Sequence, residues 1–225
     1  MLQLLTATGA RPAAFALCER WMAAQDYAGP VTWIIVDDGP EPQTVTFKRP
    51  GWRLVVIRPS PLWQPGQNTQ ARNMLKGLEV VDPAHPLAVI EDDDHYATDW
   101  LTTVAREIKQ GELVGECRAR YYNIGTRKGR ELDNVRHASL CSTAMRGKAV
   151  DAFRSACIKA PKFIDLHLWR SFKGRLFGGH RVVGIKGLPG RGGIGIGHRD
   201  TFTGKHDQNG ELLRSWIGDD ARFYL

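Results

Sequence analysis

The chain has little cysteine, no long apolar run, no internal repeat and, over one stretch of its second half, no acid at all. Its four cysteines, Cys18, Cys117, Cys141 and Cys157, are scattered and none stands in a CxxC pair. Neither a zinc site nor a disulfide framework is therefore indicated, and reduced thiols in a cytoplasmic protein are expected. No segment reaches the ~20 apolar residues that a membrane span requires. The N-terminal Met1-Leu2-Gln3-Leu4-Leu5 lacks the basic flank of a signal peptide and is soon interrupted by Gly9, Arg11 and Pro12, so a soluble protein is expected. At 225 residues and 42% hydrophobic, with no low-complexity tract or linker, the chain suffices for one domain with a full core and not for two large ones.

The formal charge of +7 is unevenly spread. From Arg118 to Arg199 there are 18 Lys/Arg against 4 Asp/Glu (Glu131, Asp133, Asp151 and Asp165), a net of +14. The remainder holds 13 basic and 20 acidic residues, a net of −7. Between Leu166 and Arg199 there is no acidic residue. Such a block attracts polyanions through its long-range field and through phosphate contacts. A basic face that serves only solubility has the same composition.

Acid is concentrated instead at two strand ends. The apolar run Leu87-Ala88-Val89-Ile90 leads directly into Glu91-Asp92-Asp93-Asp94-His95. Carboxylates crowded at a sheet edge cost folding energy unless a cation or a cationic ligand neutralises them. Taken alone, the run also fits a solvated turn. A second β-branched run, Val31–Val36, stops at Asp37-Asp38-Gly39-Pro40. In open α/β sheets ligands bind outside the carboxyl ends of the strands, so two acidic strand ends suggest one shared crevice.

Around these runs the pattern alternates strand and helix, as in an α/β domain with a largely parallel sheet. Strands are expected at Leu2–Thr6, Val31–Val36, Arg53–Arg58 and Leu87–Ile90, with helices at Pro12–Gln25, Asn68–Val80 and Trp100–Gln110, the last capped by Asp99. In the second half, Leu113–Tyr122 and Ala138–Met145 read as strands, Gly125–Arg130 as a basic turn, Lys148–Cys157 and Phe163–Phe172 as helical, and Arg181–Lys186 as a short strand. Ten of the 24 glycines fall between Gly174 and Gly197, the composition of a loop-rich cover that permits close backbone approach.

Five motifs then stand in order: Thr6-Ala7-Thr8 with Arg11-Pro12 after the first strand, Val36-Asp37-Asp38-Gly39 after the second, Arg72-Asn73 on the next helix, Ile90-Glu91-Asp92-Asp93-Asp94, and Phe163-Ile164-Asp165-Leu166-His167-Leu168-Trp169-Arg170. Over residues 2 to 200 this order resembles the GT-A fold glycosyltransferases, in particular the family 2-like group. The resemblance implies a single GT-A (Rossmann-like) α/β domain with a central, mostly parallel sheet flanked by helices. Residues 1–112 would form the nucleotide-sugar-binding half and 113–225 the acceptor side. It implies a nucleotide-sugar donor, commonly a UDP-sugar, and Mn2+ or Mg2+. Asp38 would accept a hydrogen bond from the donor base, with Thr8 and Arg11 lining the nucleotide pocket and Arg72 facing sugar or diphosphate. Asp93 would bind the ion, and Asp92 and Asp94 would position ribose, sugar or metal-bound water, Asp94 with a share in the metal shell. Glu91 stands where many relatives have the first aspartate, so which carboxylate touches the ion is open. His198 would join the metal shell, and Asp165 would be the general base, kept ionised by neighbouring cations. His95 and His167 are accessory polar groups at most.

The expected function is metal-dependent transfer of a sugar to a hydroxyl. A nucleotidyltransferase shares the nucleotide pocket and paired carboxylates but usually has a glycine-rich, basic loop after strand one, of which Thr8-Gly9-Ala10-Arg11-Pro12 is only a faint version. A non-catalytic nucleic-acid-binding protein would leave the acidic strand ends unexplained. The basic half favours nucleic acid as acceptor, for example a hydroxymethyl-pyrimidine as in viral DNA modification, with Tyr121, Tyr122, Trp169 or Phe172 stacking on a base. A polyanionic glycan or a lipid-linked acceptor at an acidic membrane surface is the alternative.

Overall fold

The computed structural model describes residues 1–193 and 195–225. In chain order its strands and α-helices are β1 (Leu2–Thr8), α1 (Pro12–Ala23), β2 (Val31–Asp37), β3 (Trp52–Ile57), α2 (Gln70–Leu78), β4 (Leu87–Val89), β5 (His95–Tyr96), α3 (Trp100–Glu107), β6 (Leu113–Glu116), β7 (Arg120–Asn123), β8 (Lys128–Glu131), β9 (Thr143–Met145), α4 (Lys148–Lys159), α5 (Ile164–Ser171), β10 (Arg175–Phe177), β11 (Val182–Lys186), β12 (Lys205–His206) and α6 (Glu211–Ile217). The main sheet has seven strands in the order β10-β6-β9-β4-β1-β2-β3. Its centre is parallel, β1 pairing with β2 and β4, and β2 with β3; β9 runs antiparallel between β4 and β6.

Alternation along the central strands builds two cores, one on each face of the sheet. Leu2 and Leu4 of β1, with Trp33 and Ile35 of β2, pack against Phe15, Cys18 and Met22 of α1 and Trp100, Leu101 and Val104 of α3. Leu5, Ile34 and Val36 point the other way, onto Met74 and Leu78 of α2 and onto Phe153 of α4 and Leu168 of α5. Both faces are covered, which is why these strands read as continuous apolar runs. The sheet is thus the mostly parallel, helix-flanked layer expected of the α/β class. Among the described residues no helix is long and apolar enough to cross a membrane.

A second, five-stranded sheet, β12-β8-β7-β11-β5, stands on the carboxyl edge of the first. Its hinge is the acidic cluster itself, because β5 begins one residue after Asp94 and pairs antiparallel with β11, Val183 opposite His95. β11 therefore runs back toward the cluster and ends beside it at Lys186.

Several local expectations change. Leu113–Tyr122 is not one strand: it breaks after Glu116, where Arg118 takes a left-handed φ of 61°, and continues as β7 in the other sheet. The basic turn is shorter than expected, since Lys128–Glu131 is a strand paired with β7 and the turn spans 124–127, closing at Arg127 with φ 52°. Ala138–Met145 is strand only from Thr143; Leu140–Ser142 is a 3-10 turn. Asp99 does not cap α3 with its side chain but accepts a hydrogen bond from Arg181 Nε at 2.8 Å. The closing helix α6 is unheralded in the sequence; it starts where Asp207 accepts the backbone N–H groups of Leu212 and Leu213.

Candidate active site

The carboxyl ends of β1, β2 and β4 deliver Thr8, Asp37-Asp38 and Glu91–Asp94 to one edge, and the second sheet with the glycine-rich segment closes over them. The result is a cavity of about 450 Å3. Of the nine residues expected at the site, Thr8, Arg11, Asp92, Asp93, Asp165 and His198 line this cavity, while Asp38, Arg72 and Asp94 lie behind its wall.

The acidic cluster is buried: Asp92, Asp93 and Asp94 are 1%, 4% and 1% exposed. Its charge is met from within the chain. Arg11 is bidentate, with Nη1 2.6 Å from Asp92 Oδ1 and Nη2 2.6 Å from Asp93 Oδ2. Asp92 Oδ2 also accepts the Thr8 hydroxyl at 2.7 Å. From the opposite side comes Lys186, with Nζ 2.8 Å from Asp94 Oδ1 and 3.5 Å from Asp93 Oδ1. Burial opposes ionisation of Asp93, but Lys186 and Arg11 outweigh it and hold the carboxyl well below the usual range. Burial likewise opposes the charges on Arg11 and Lys186, and their acidic partners raise both above ordinary values. Asp92 shifts upward because desolvation exceeds the help from Arg11.

Asp94 behaves differently. Its Oδ1 accepts Lys186 and the Ile185 N–H at 3.0 Å, whereas Oδ2 is buried without a conventional donor. Ligand atoms of Glu91, Asp94 and Cys141 lie within 4.8 Å of one another. Burial pushes both carboxyls and the thiol upward. Asp94 is thus a buried counter-charge to Lys186, set back from the cavity.

Donors suited to the expected ion converge at one spot. Asp93 Oδ2 and His198 Nε2 are 3.5 Å apart on the cavity wall, a separation that one ion can bridge. Burial and nearby Lys186 push His198 down to about 4, so the imidazole is neutral near pH 7, as ligation demands. Asp93 and His198 fit the ion, whereas Asp94 is not among the residues that line the cavity.

At the end of β2, where a nucleotide is expected, Asp38 is fully buried and its oxygens are engaged. Oδ2 accepts the Thr69 hydroxyl at 2.5 Å and Arg72 Nη2 at 2.8 Å, and Oδ1 accepts Arg191 Nη1 at 2.7 Å. Arg191 also donates to Thr69 at 2.6 Å and lies 4.7 Å from the centre of the Trp63 ring. A base can reach Asp38 Oδ1 only by displacing Arg191. Gly9 permits this crowding, since a Cβ there would stand 2.4 Å from Asp38 Oδ1.

Asp165 enters from the first turn of α5. Contrary to the expectation that cations keep it ionised, burial dominates and raises its carboxyl, opposed by the backbone N–H of Leu166 and by His137. Of the four aromatics expected to stack on a base, Tyr121 lines the cavity and the other three do not. Tyr122 and Trp169 are core residues, Tyr121 donates or accepts at Ser139 Oγ at 2.6 Å, and Phe172 packs on the α4–α5 core. Phe163, at φ 58° and 62% exposed, is the aromatic residue that faces the cavity mouth. His95 is structural, 3.1 Å from Asp220 and edge-on to Trp21. Sequence reasoning missed Lys186, Arg191 and Phe163; for Lys186 the signal was a lysine ending a β-branched run.

No family model matches the chain, and no curated protein matches it. Solved structures do. The structure of S. aureus TarS superposes with a TM-score of 0.55 at 12% identity, over 79% of this chain and 35% of that one. TarS in complex with UDP-GlcNAc gives 0.53 at 9% identity, over 89% and 62%, and TarS in complex with UDP gives 0.51 at 10%, over 81% and 56%. The chain spans less than two thirds of the length of each. TarS is a GT-A-type glycosyltransferase, and the likeness establishes a GT-A-like fold here.

Asp38 supplies a test of the end of β2. Replacing it with Ala strands Arg72 and Arg191 and should cost about 2–3 kcal/mol in urea unfolding. That is less than the ~3–5 of a fully buried pair because Arg72 is partly solvated. A loss below about 0.5 kcal/mol would mean that the three-way tie does not hold this end together.

Proposed function

We propose that the protein is a nucleotide-sugar-dependent glycosyltransferase. The observation that carries this is the convergence of Thr8, Arg11, Asp92, Asp93, His198 and Asp165 around one cavity at the carboxyl edge of a GT-A-like sheet. The TarS complexes with UDP and UDP-GlcNAc support a UDP-sugar as donor. Mn2+ or Mg2+ would be held by Asp93 and His198, and when bound would offset the charge of the leaving diphosphate.

In this scheme Arg11 fixes Asp92 and Asp93, and Thr8 orients Asp92 toward the donor. Asp165 accepts the proton of the acceptor hydroxyl as its oxygen bonds to the anomeric carbon. The bond from that carbon to the diphosphate oxygen breaks, its electron pair leaving with the diphosphate. A raised carboxyl is a stronger base than an ordinary aspartate.

The acceptor we propose is a polyanion, with nucleic acid bearing a hydroxymethyl-pyrimidine preferred over an anionic glycan or lipid-linked sugar. Arg130, Lys162, His137 and exposed Phe163 at the cavity mouth support it.

Four measurements test the scheme. With a panel of nucleotide-sugars and Mn2+, one donor should raise Tm in proportion to the logarithm of its concentration and undergo slow hydrolysis. Asp93→Asn should then lower turnover by orders of magnitude, and undiminished transfer in excess EDTA would remove the ion from the scheme. Asp165→Asn should retain donor affinity and lose transfer ~100-fold or more. Because only ionised Asp165 accepts the proton, wild-type transfer should fall as pH drops through a value above the ordinary aspartate range, and that limb should be missing in the variant. Lastly, affinity for hydroxymethyl-pyrimidine DNA should fall with salt at a log–log slope of about −0.9 per phosphate contacted. Neither binding nor transfer, in a preparation that hydrolyses a donor, would move the acceptor to glycan or lipid.

A further inference from the structure

Lys186 is a charged partner of the acidic cluster that has no role in the scheme above. Its side chain is only 8% exposed and tightly placed. Backbone pairing fixes its strand opposite Asn123, the Tyr121 ring centre lies 5.8 Å from Nζ, and the stem runs beneath Gly197, where an added Cβ would come within 2.9 Å of Cγ. The ammonium is thereby directed to the cavity wall beside Asp93.

Its hydrogen bonding is incomplete. An ammonium has three N–H donors. Among the described residues Nζ has one acceptor at ordinary length, Asp94 Oδ1 at 2.8 Å, and one at the limit, Asp93 Oδ1 at 3.5 Å. Arg11 turns both its terminal nitrogens onto carboxylates at 2.6 Å, and among the described residues only its Nε, beside the chain stem, has no partner. A buried cation with donor capacity to spare, facing a cavity, calls for an anionic oxygen.

We propose that Lys186 binds the terminal phosphate of a nucleoside diphosphate in this cavity, so that the site holds the diphosphate even when stripped of divalent ions. This rests on the glycosyltransferase scheme and deepens it. On transfer, the electron pair of the broken sugar–phosphate bond comes to rest on a phosphate oxygen. Lys186 stabilises that oxygen by charge and hydrogen bonding while keeping its own proton, the acceptor's proton having passed to Asp165. Because Lys186 also faces Asp93, its positive charge competes with a divalent ion for that carboxylate when no nucleotide is bound.

The test is calorimetric binding of UDP, GDP and ADP and of their monophosphates, in EDTA and in Mn2+, to wild type and Lys186→Gln. Wild type should prefer one diphosphate to its monophosphate in EDTA. Lys186→Gln should lose about tenfold or more in affinity for the diphosphate, the effect of one charged hydrogen bond, while the monophosphate changes by less than about threefold. Mn2+ without nucleotide should bind the variant more tightly than wild type. Lys186→Arg, which keeps the charge, should recover much of the diphosphate affinity. Equal losses for diphosphate and monophosphate would make Lys186 structural, and an unchanged diphosphate affinity would also overturn its role. Should Lys186→Gln fail to melt cooperatively, Lys186→Gln with Asp94→Asn removes the pair as a unit and is judged by the same ratio. Wild type binding none of the nucleotides under either condition would overturn the nucleotide-site assignment itself, and Lys186 with it.

Discussion

Four consecutive acids at a sheet edge, three of them buried and Glu91 partly so, form the constraint on which the rest of this structure depends. Carboxylates removed from water must be given cations or protons, and here both are used. Arg11 arrives at the start of α1, Lys186 from the far end of β11, and burial pushes the carboxyls of Glu91 and Asp94 upward, toward their protonated forms. The two sheets are consequently joined by charge as well as by apolar packing. The first sheet contributes the acids and the second returns a lysine to them through the β5–β11 pairing.

The same constraint changes the meaning of the charge imbalance along the chain. Part of the cation in the basic half is spent internally. Arg175 pairs with Glu107, Arg181 with Asp99 and Glu116, Lys186 with Asp93 and Asp94, and Arg191 with Asp38. These partners lie mostly in the acidic first half, so the segregation by sequence becomes complementarity in space. Left to attract a polyanion are Arg130 and Lys162 at the cavity, together with exposed residues such as Arg170, Lys173 and Arg199.

The central strands and their acidic ends were legible because the information is local: β-branched runs of strand length, buried on both faces, each followed by a turn sequence or acids. The helices α1 to α5 were legible for the same reason, to within a turn. Asp93 and Asp165 came into view from motif order, and both line the cavity. What escaped depends on contacts between residues far apart in sequence. Arg191 meets Asp38 across 153 positions and Lys186 meets Asp94 across 92, and no local pattern marks either partner. The split of Leu113–Tyr122 escaped because it turns on one left-handed residue, Arg118, of a type that usually avoids that conformation. Tyr122 and Trp169 looked like binding aromatics because composition does not say which side of a sheet or helix faces the core.

The glycine-rich segment that roofs the cavity is fastened at both ends. The Arg191 N–H donates to Ala10 O at 3.1 Å and its guanidinium reaches Asp38 and Thr69, while Asn123 Nδ2 donates to Gly197 O at 2.7 Å. A ligand that slides beneath it and takes Asp38 must break bonds of the same kind and strength as those it forms. Its measured affinity will be the difference between two nearly matched sets of contacts, so a weak dissociation constant at this site is compatible with a large and specific network of interactions.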